Sequence, residues 1–172
     1  FDYSHDSGFY AGVWASNVSE YWYGSSLELD TYIGYATEIG GIGLDFNANR
    51  YNYPSSMYDD VNTNEFSVTV SKDFEVAAVS AKAAYSPEFY GPDHATYYGL
   101  GLDVPAGPVT VSGSYGIQKF EHGDDIADWS VGVSGDAMGV TLGLAYTNTD
   151  YDHNDCDDTC DGRVVASVSK SF

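Results

Sequence analysis

Short runs in which apolar and polar residues alternate extend along the chain, separated by clusters of Gly, Pro, Asn, Asp and Ser. Alternation with a period of two is typical of β-strands whose two faces meet different surroundings. We therefore expect consecutive antiparallel hairpins. The pattern predicts eleven strands, over residues 1–6, 8–17, 26–37, 41–52, 64–72, 75–86, 94–104, 108–119, 128–135, 139–149 and 162–172.

The two faces of each predicted strand differ in their chemistry. In the strand predicted for residues 139–149, one face carries Val140, Leu142, Leu144 and Tyr146, and the other carries Thr141, Gly143, Ala145 and Thr147. A soluble β-sandwich alternates in the same way, so this pattern alone allows either a buried core or a contact with lipid.

The lengths of the connections favour a membrane barrel. Short turns are predicted near residues 6–8, 37–41, 72–75, 104–108 and 135–139, and longer loops near residues 18–25, 53–63, 87–93, 120–127 and 150–161. Barrels of the bacterial outer membrane combine short periplasmic turns with longer extracellular loops. The predicted fold class is therefore all-β, an antiparallel up-and-down transmembrane β-barrel that forms a single domain over residues 1–172 in the outer membrane.

Aromatic residues on the apolar face fall at the two ends of the predicted strands, as in the aromatic girdles of membrane barrels. Phe66, Tyr85, Tyr98, Tyr115, Trp129 and Tyr146 lie towards the long loops, and Phe9, Tyr35, Phe74 and Phe172 lie towards the short turns. Bacterial single-chain barrels usually have an even number of strands. We therefore expect about twelve strands, with one further strand ahead of Phe1.

The amino-acid composition limits the classes of molecule that the chain is expected to bind. The chain has 26 acidic and 6 basic residues and a formal net charge of −20, which argues against nucleic acid as a partner and favours cations. No stretch approaches the roughly 18 consecutive apolar residues that a membrane helix needs. Nothing at Phe1 resembles a signal peptide, so we expect the chain to start as mature or processed material.

The last predicted loop concentrates oxygen ligands around the two cysteines of the chain. Its candidate ligands are Asp150, Asp152, Asn154, Asp155, Asp157, Asp158 and Asp161. This density suits calcium, although the loop lacks the central Gly and final Glu of an EF-hand, and a solvated acidic loop is the alternative. We expect Cys156 and Cys160 to form a disulfide in an oxidising compartment; two free thiols or half of a metal site are the alternatives.

The histidines and serines give no catalytic motif. His5, His94, His122 and His153 fall in loops or near strand ends, where we expect surface histidines. His122 lies close to Glu121, Asp124 and Asp125, which could form a weak metal contact. Because no local motif supports a Ser-His-acid site, we expect no enzymatic activity.

The face opposite the apolar one is the better place for a functional site. By parity it carries the candidate lumen residues Tyr10, Trp14, Glu28, Asp30, Tyr32, Asp45, Asn47, Asn49, Lys82, Tyr97, Asp103 and Gln118. Many of the other residues on this face are Gly, Ser, Ala or Thr, which is compatible with a narrow wet lumen in a barrel of about twelve strands. A packed, hydrogen-bonded interior that does not conduct is compatible as well.

Two functions follow from this pattern. The first is a passive channel for small solutes or cations, because the charged residues of the predicted lumen are mostly acidic. The second is a structural or surface-interaction protein of the outer membrane, whose acidic extracellular loops bind cations such as calcium or contact other copies or surface partners. Conductance in a planar bilayer distinguishes the two.

Several blocks in the first half of the chain resemble a known family. They are Phe1 to Val18 (FDYSHDSGFYAGVWASNV), Glu28-Leu29-Asp30 with Tyr32-Ile33-Gly34-Tyr35, Tyr51-Asn52-Tyr53-Pro54 and Ser86-Pro87-Glu88-Phe89-Tyr90-Gly91. The chain is similar there to the Gcw_chp family of uncharacterised, barrel-like proteobacterial proteins. Family members carry another strand and loop ahead of the Phe-Asp-Tyr block, which agrees with the expected twelfth strand. The resemblance implies no activity and does not include the acidic loop with its cysteines.

Overall fold

Eleven antiparallel strands form one sheet, in which each strand pairs with its neighbours in sequence. The structure is a computed structural model that describes residues 1–18, 24–58, 61–151 and 160–170. The strands are β1 (Asp2–Ser4), β2 (Phe9–Asn17), β3 (Leu27–Ile39), β4 (Ile42–Asn52), β5 (Thr63–Asp73), β6 (Ala78–Ser86), β7 (Ala95–Ala106), β8 (Val109–Phe120), β9 (Ile126–Ala137), β10 (Val140–Thr149) and β11 (Arg163–Ser169). The predicted all-β, up-and-down architecture with eleven strands is confirmed.

The outermost strands are shorter than predicted. β1 ends at Ser4 because the next residues form the turn to β2, where the amide of Gly8 donates to the carbonyl of His5 at 2.9 Å. β11 covers seven residues, Arg163–Ser169. These two strands stand at the two ends of the strand order.

The chain forms two compact units. The first comprises residues 1–70, 82–97 and 119–124, and the second comprises residues 71–81, 98–118 and 125–172. The single domain expected for residues 1–172 stays a prediction. No helix within the described ranges is long and apolar enough to cross a membrane.

The most buried residues of the first unit lie where strands give way to long loops. The Ser25 hydroxyl lies 2.8 Å from the carbonyl oxygen of Pro54, and the Ser86 hydroxyl donates to the carbonyl of Asn64 at 2.8 Å. The backbone N–H of Tyr90 donates to the buried Thr63 hydroxyl, also at 2.8 Å. Side-chain hydroxyls thus satisfy backbone groups that the strand ladders leave unpaired and fix the loops above the sheet.

The apolar faces of the strands are exposed. In the second unit, Leu100 is 64% exposed and Val131 is 54% exposed. Leu144 of β10 lies opposite Val133 of β9 and Ala166 of β11, so these side chains share one face. A protein surrounded by water normally turns such a face into its core, so this surface requires apolar surroundings.

Aromatic side chains at the ends of this apolar face contact one another. In the second unit Tyr115 lies opposite Trp129, whose ring centroid is 5.5 Å from that of Tyr146. In the first unit, Phe9 and Tyr35 pack at 4.9 Å near the short turns. Phe172, expected in the same girdle, lies outside the described residues.

Two of the short turns have two central residues in the left-handed region. Gly40 and Gly41 have φ angles of 62° and 76°, and Met138 and Gly139 have φ angles of 52° and 78°. Consecutive positive φ values define the type I′ turn, whose twist matches that of the flanking strands. The turns predicted at residues 37–41 and 135–139 are therefore confirmed.

Replacing Met138 with Asn should stabilise the protein. The left-handed conformation costs a residue with a branched or long side chain about 1 kcal/mol, and Asn tolerates it better. Met138 is 99% exposed, so the substitution loses no packing. We expect Met138→Asn to raise the free energy of unfolding by about 0.5–1 kcal/mol in urea titrations in detergent. Val76→Asn, at an exposed turn position without positive φ, should give no such gain, and an equal gain in both variants would contradict the explanation.

Candidate functional site

The register of β2, β3 and β4 brings polar side chains together on one face of the first unit. Asp30 lies opposite Trp14 on one side and Tyr51 on the other. Because directly paired residues of antiparallel strands share a face, the strands define a common surface. This surface, called here the polar face, comprises Tyr10, Gly12, Trp14, Glu28, Asp30, Tyr32, Gly34, Asp45, Asn47, Asn49 and Tyr51.

Two tyrosine rings of this polar face lie over glycines of the neighbouring strand. Tyr10 pairs with Gly34, and Tyr32 pairs with Gly12. A Cβ atom added at Gly34 would stand 2.6 Å from Cε1 of Tyr10, and one added at Gly12 would stand 2.6 Å from Cε2 of Tyr32. Each ring therefore occupies the space above a glycine and packs against the sheet.

Hydrogen bonds hold both rings in these positions. The Tyr10 hydroxyl donates to Oδ1 of Asp45 at 2.8 Å and accepts from the amide of Asn47 at 3.0 Å. The Tyr32 hydroxyl donates to the carboxylate of Asp2 on β1. These hydrogen bonds keep both rings packed against the sheet.

A second group of tyrosines and carboxylates lies near the loop ends of the same unit. The Tyr53 hydroxyl donates to Glu28 at 3.0 Å and lies 3.2 Å from the Tyr90 hydroxyl. Burial raises the pKa of both phenols, so they stay protonated in neutral solution. Lys82 pairs with Glu65 at 3.1 Å.

Two oxygen atoms of the polar face are buried without a hydrogen-bond partner. Asp30 is only 7% exposed, and its Oδ1 lacks a donor. Oδ1 of Asn49 on the neighbouring strand lacks one as well. Buried polar atoms are normally satisfied, so these two oxygens mark a place where a ligand or water is expected.

The other predicted lumen residues are distributed more widely. Lys82 and Tyr97 are half-buried in the first unit, and Trp14 of the polar face is 50% exposed. Asp103 and Gln118 belong to the second unit, where the carboxylate of Asp103 accepts from the Ser112 hydroxyl at 2.5 Å. That all of them line a lumen stays a prediction.

Three side chains of types that can bind a metal lie close together at the loop ends of strands in the first unit, a place called here the loop rim. Ligand atoms of Asp93, Glu121 and His122 lie within 4.8 Å of one another, and all three residues are exposed. His94 Nδ1 is 2.7 Å from Glu121, and His122 Nδ1 is 3.4 Å from Asp93. Hydrogen bonds from the backbone and side chain of His94 lower the pKa of Glu121. His122 therefore neighbours Glu121 as expected, but the structure adds Asp93 to the group in place of Asp124 and Asp125.

Most of the predicted calcium loop lies outside the described residues. This applies to Asp152, Asn154, Asp155, Cys156, Asp157 and Asp158, so the calcium site and the Cys156–Cys160 disulfide stay predictions. Of the remaining candidates, Asp150 accepts a hydrogen bond from the backbone N–H of Ala127 at 2.6 Å. Because that oxygen already accepts a hydrogen bond from the start of β9, it is less available to a metal.

Several residues of the site were not predicted from the sequence. Tyr51 continues the parity of Asp45, Asn47 and Asn49, so the same pattern could have identified it. Glu65 on β5 could have been found in the same way. Tyr53 and Tyr90 lie in loops beyond the strands, where parity carries no information.

Comparison with known proteins supports this fold and assigns the family. The sequence has no match among curated proteins. A solved porin superposes on 97% of this chain and 58% of its own, with a TM-score of 0.52 and 17% identity. The NanC porin superposes on 100% of this chain and 90% of its own, with a TM-score of 0.76 and 9% identity. The chain thus spans just over half the length of the first porin and most of the second.

At such identities the likeness concerns the fold, which is that of the outer-membrane porins. The predicted localisation in the bacterial outer membrane agrees with this fold. The family model described as a bacterial protein of unknown function (Gcw_chp) matches residues 1–172, so the chain belongs to the Gcw_chp family.

Proposed function

We propose that this protein is a passive outer-membrane channel for small solutes or cations, with the polar face as part of its lumen. The observation that carries the proposal is the placement of the Tyr10 and Tyr32 rings above Gly34 and Gly12. Rings packed against the sheet leave the space in front of the polar face open. Rings that project from the sheet would fill the interior of a narrow barrel. The apolar outer surface supports the same arrangement, because it suits contact with lipid tails.

The charge of the polar face supports a preference for cations. Glu28, Asp30 and Asp45 lie on β3 and β4, and Glu65 follows on β5, where it pairs with Lys82. Carboxylates that line a pore attract cations and repel anions. The net charge of −20 acts in the same direction.

The proposal includes no catalytic step. His5, His94 and His122 lie in turns or loops, outside the strands that carry the polar face. The described part of that face therefore offers acids and phenols without a histidine base beside them, which favours passage over chemistry.

Conductance in planar bilayers tests the channel. We expect discrete steps of current and, in a potassium chloride gradient, a reversal potential that indicates cation selectivity. Asp45→Asn combined with Glu65→Gln should reduce this selectivity, because two carboxylates of the lumen lose their charge. Asp73→Asn, at the exposed short-turn end of β5, should leave it nearly unchanged. A folded protein that stays silent in all salts would overturn the proposal.

The rim group of Asp93, Glu121 and His122 favours a second function, a surface protein that binds cations on its extracellular side. The predicted calcium loop and its disulfide, and contacts with other copies or surface partners, belong to the same proposal. A silent barrel whose loops gain protection from proteolysis with divalent cations would support this function.

A further inference from the structure

We infer that Asp30, Glu28 and Asn49 form a cation-binding subsite on the polar face, suited to a hard cation such as calcium. The inference deepens the proposed function and rests on it in one respect, because water and ions must reach the polar face. It does not require that ions cross the barrel. The subsite would be a fixed binding point on the lumen wall.

Asp30 has an unsatisfied carboxylate oxygen. Asp30 is more than nine-tenths buried, and its Oδ1 has no hydrogen-bond donor. A buried carboxylate oxygen without a partner is unfavourable, because it has lost its hydration and gained nothing in exchange. A bound cation supplies what this oxygen lacks.

The neighbours of Asp30 add further oxygen ligands. Glu28 is two residues away on the same strand and therefore on the same face. Asn49 is the diagonal neighbour on β4, since it pairs with Tyr32 while Asp30 pairs with Tyr51. Oδ1 of Asn49 is the second buried oxygen without a partner.

No described Lys or Arg side chain forms an ion pair with these carboxylates. Lys82 is paired with Glu65 at 3.1 Å. Arg50 is on the opposite face of β4 and bonds to Asn52 and Asn64, each at 3.0 Å. Within the described residues no Lys or Arg pairs with Asp30 or Glu28, and Glu28 receives only the Tyr53 hydroxyl. The pair thus keeps an uncompensated negative charge.

The chemistry of the ligands selects the class of cation. Carboxylate and amide oxygens are hard ligands, and the group contains no imidazole or thiolate. Calcium accepts six to eight such oxygens with flexible geometry, some of them from water. We therefore choose Ca²⁺ as the probe.

Calcium binding to the full chain in detergent tests the subsite. After chelator treatment, isothermal titration with CaCl₂ should show a class of sites that Asp30→Asn weakens by about tenfold or more, as expected when a charged ligand is lost. Asp136→Asn is the matched control, since Oδ1 of Asp136 already accepts from the Thr141 hydroxyl at 2.6 Å. Its isotherm should match that of the wild type. The acidic loop of residues 150–161 is common to all three proteins, so it cannot produce the difference.

Thermal unfolding gives a second measurement. Without calcium, Asp30→Asn should melt above the wild type, because the buried unpaired charge is gone. Added calcium should raise the melting temperature of the wild type clearly more than that of Asp30→Asn, since a ligand stabilises only the state that binds it.

Three results would overturn the subsite: equal calcium isotherms for the wild type and Asp30→Asn, equal thermal responses, or an Asp30→Asn variant that fails to fold without calcium. The first two would mean that water or a proton satisfies Asp30, and the third that its carboxylate is needed by the fold itself. Bilayer currents distinguish a failure of the subsite proposal from a failure of the channel proposal. A silent barrel that binds calcium through Asp30 overturns the channel alone, and a conducting barrel with equal isotherms overturns the subsite alone.

Discussion

Leu144→Arg should prevent efficient folding into lipid bilayers. Leu144 lies near the middle of β10 (Val140–Thr149), is 51% exposed and shares the apolar face with Val133 and Ala166. An arginine that faces lipid near the middle of the bilayer costs about 2–4 kcal/mol. Urea titrations in phospholipid vesicles, followed by the change in gel mobility on heating, should show a loss of this size.

Ala145→Arg is the matched control for this prediction. Ala145 is the next residue along β10 and faces the opposite side of the sheet, where Gly132 lies beside it. A glycine neighbour leaves space for a longer side chain, and water in a lumen can hydrate the guanidinium. The control should therefore fold much better than Leu144→Arg. Equal damage in both variants would contradict the assignment of the two faces.

The alternation that underlies this prediction is also why much of the fold could be predicted. The strand predicted at residues 139–149 is observed as Val140–Thr149, and that predicted at 41–52 is observed as Ile42–Asn52. In each strand every second residue must be apolar, so the pattern is strong even though no run is continuously apolar. The turn at Gly139 is equally clear, because a type I′ turn needs residues that tolerate positive φ.

The loop rim could not be predicted in the same way. Asp93 meets His122 only because the loop after β6 and the loop after β8 approach each other, and no period in the sequence encodes that approach. The contact between Tyr53 and Tyr90 has the same origin. Sequence proximity instead suggested Asp124 and Asp125 as neighbours of His122. Local spacing fails where side chains from separate loops converge.

The polar face could be predicted from the sequence only in part. Parity placed Asp30 and Asn49 on one side of their strands, and the register of β3 with β4 agrees with that placement. Parity could not reveal that Oδ1 of both residues is buried without a partner, because burial depends on the side chains around them. It also could not reveal that Tyr10 lies above Gly34, which requires the register itself. The features that carry the functional proposals thus depend on lateral packing.

Gly34→Ala tests this packing directly and should destabilise the protein. The new Cβ would meet the Tyr10 ring, so the ring would have to leave the wall. The Tyr10 hydroxyl would then lose its bonds with Asp45 and Asn47. At about 1 kcal/mol for each hydrogen bond, we expect a loss of about 2 kcal/mol in the free energy of unfolding, measured by urea titration.

Gly113→Ala provides the control within a strand, since the nearest atom to its added Cβ is the carbonyl oxygen of Ser130 at 3.9 Å. This substitution should be neutral or slightly stabilising, because alanine loses less backbone entropy than glycine on folding. Tyr10→Phe completes a double-mutant cycle: without the hydroxyl there are no bonds to break, so Gly34→Ala should cost clearly less in that background. If Gly34→Ala costs no more than Gly113→Ala, or costs the same with and without the hydroxyl, the glycine does not hold the ring against the wall, and the packing argument for an open lumen loses its basis.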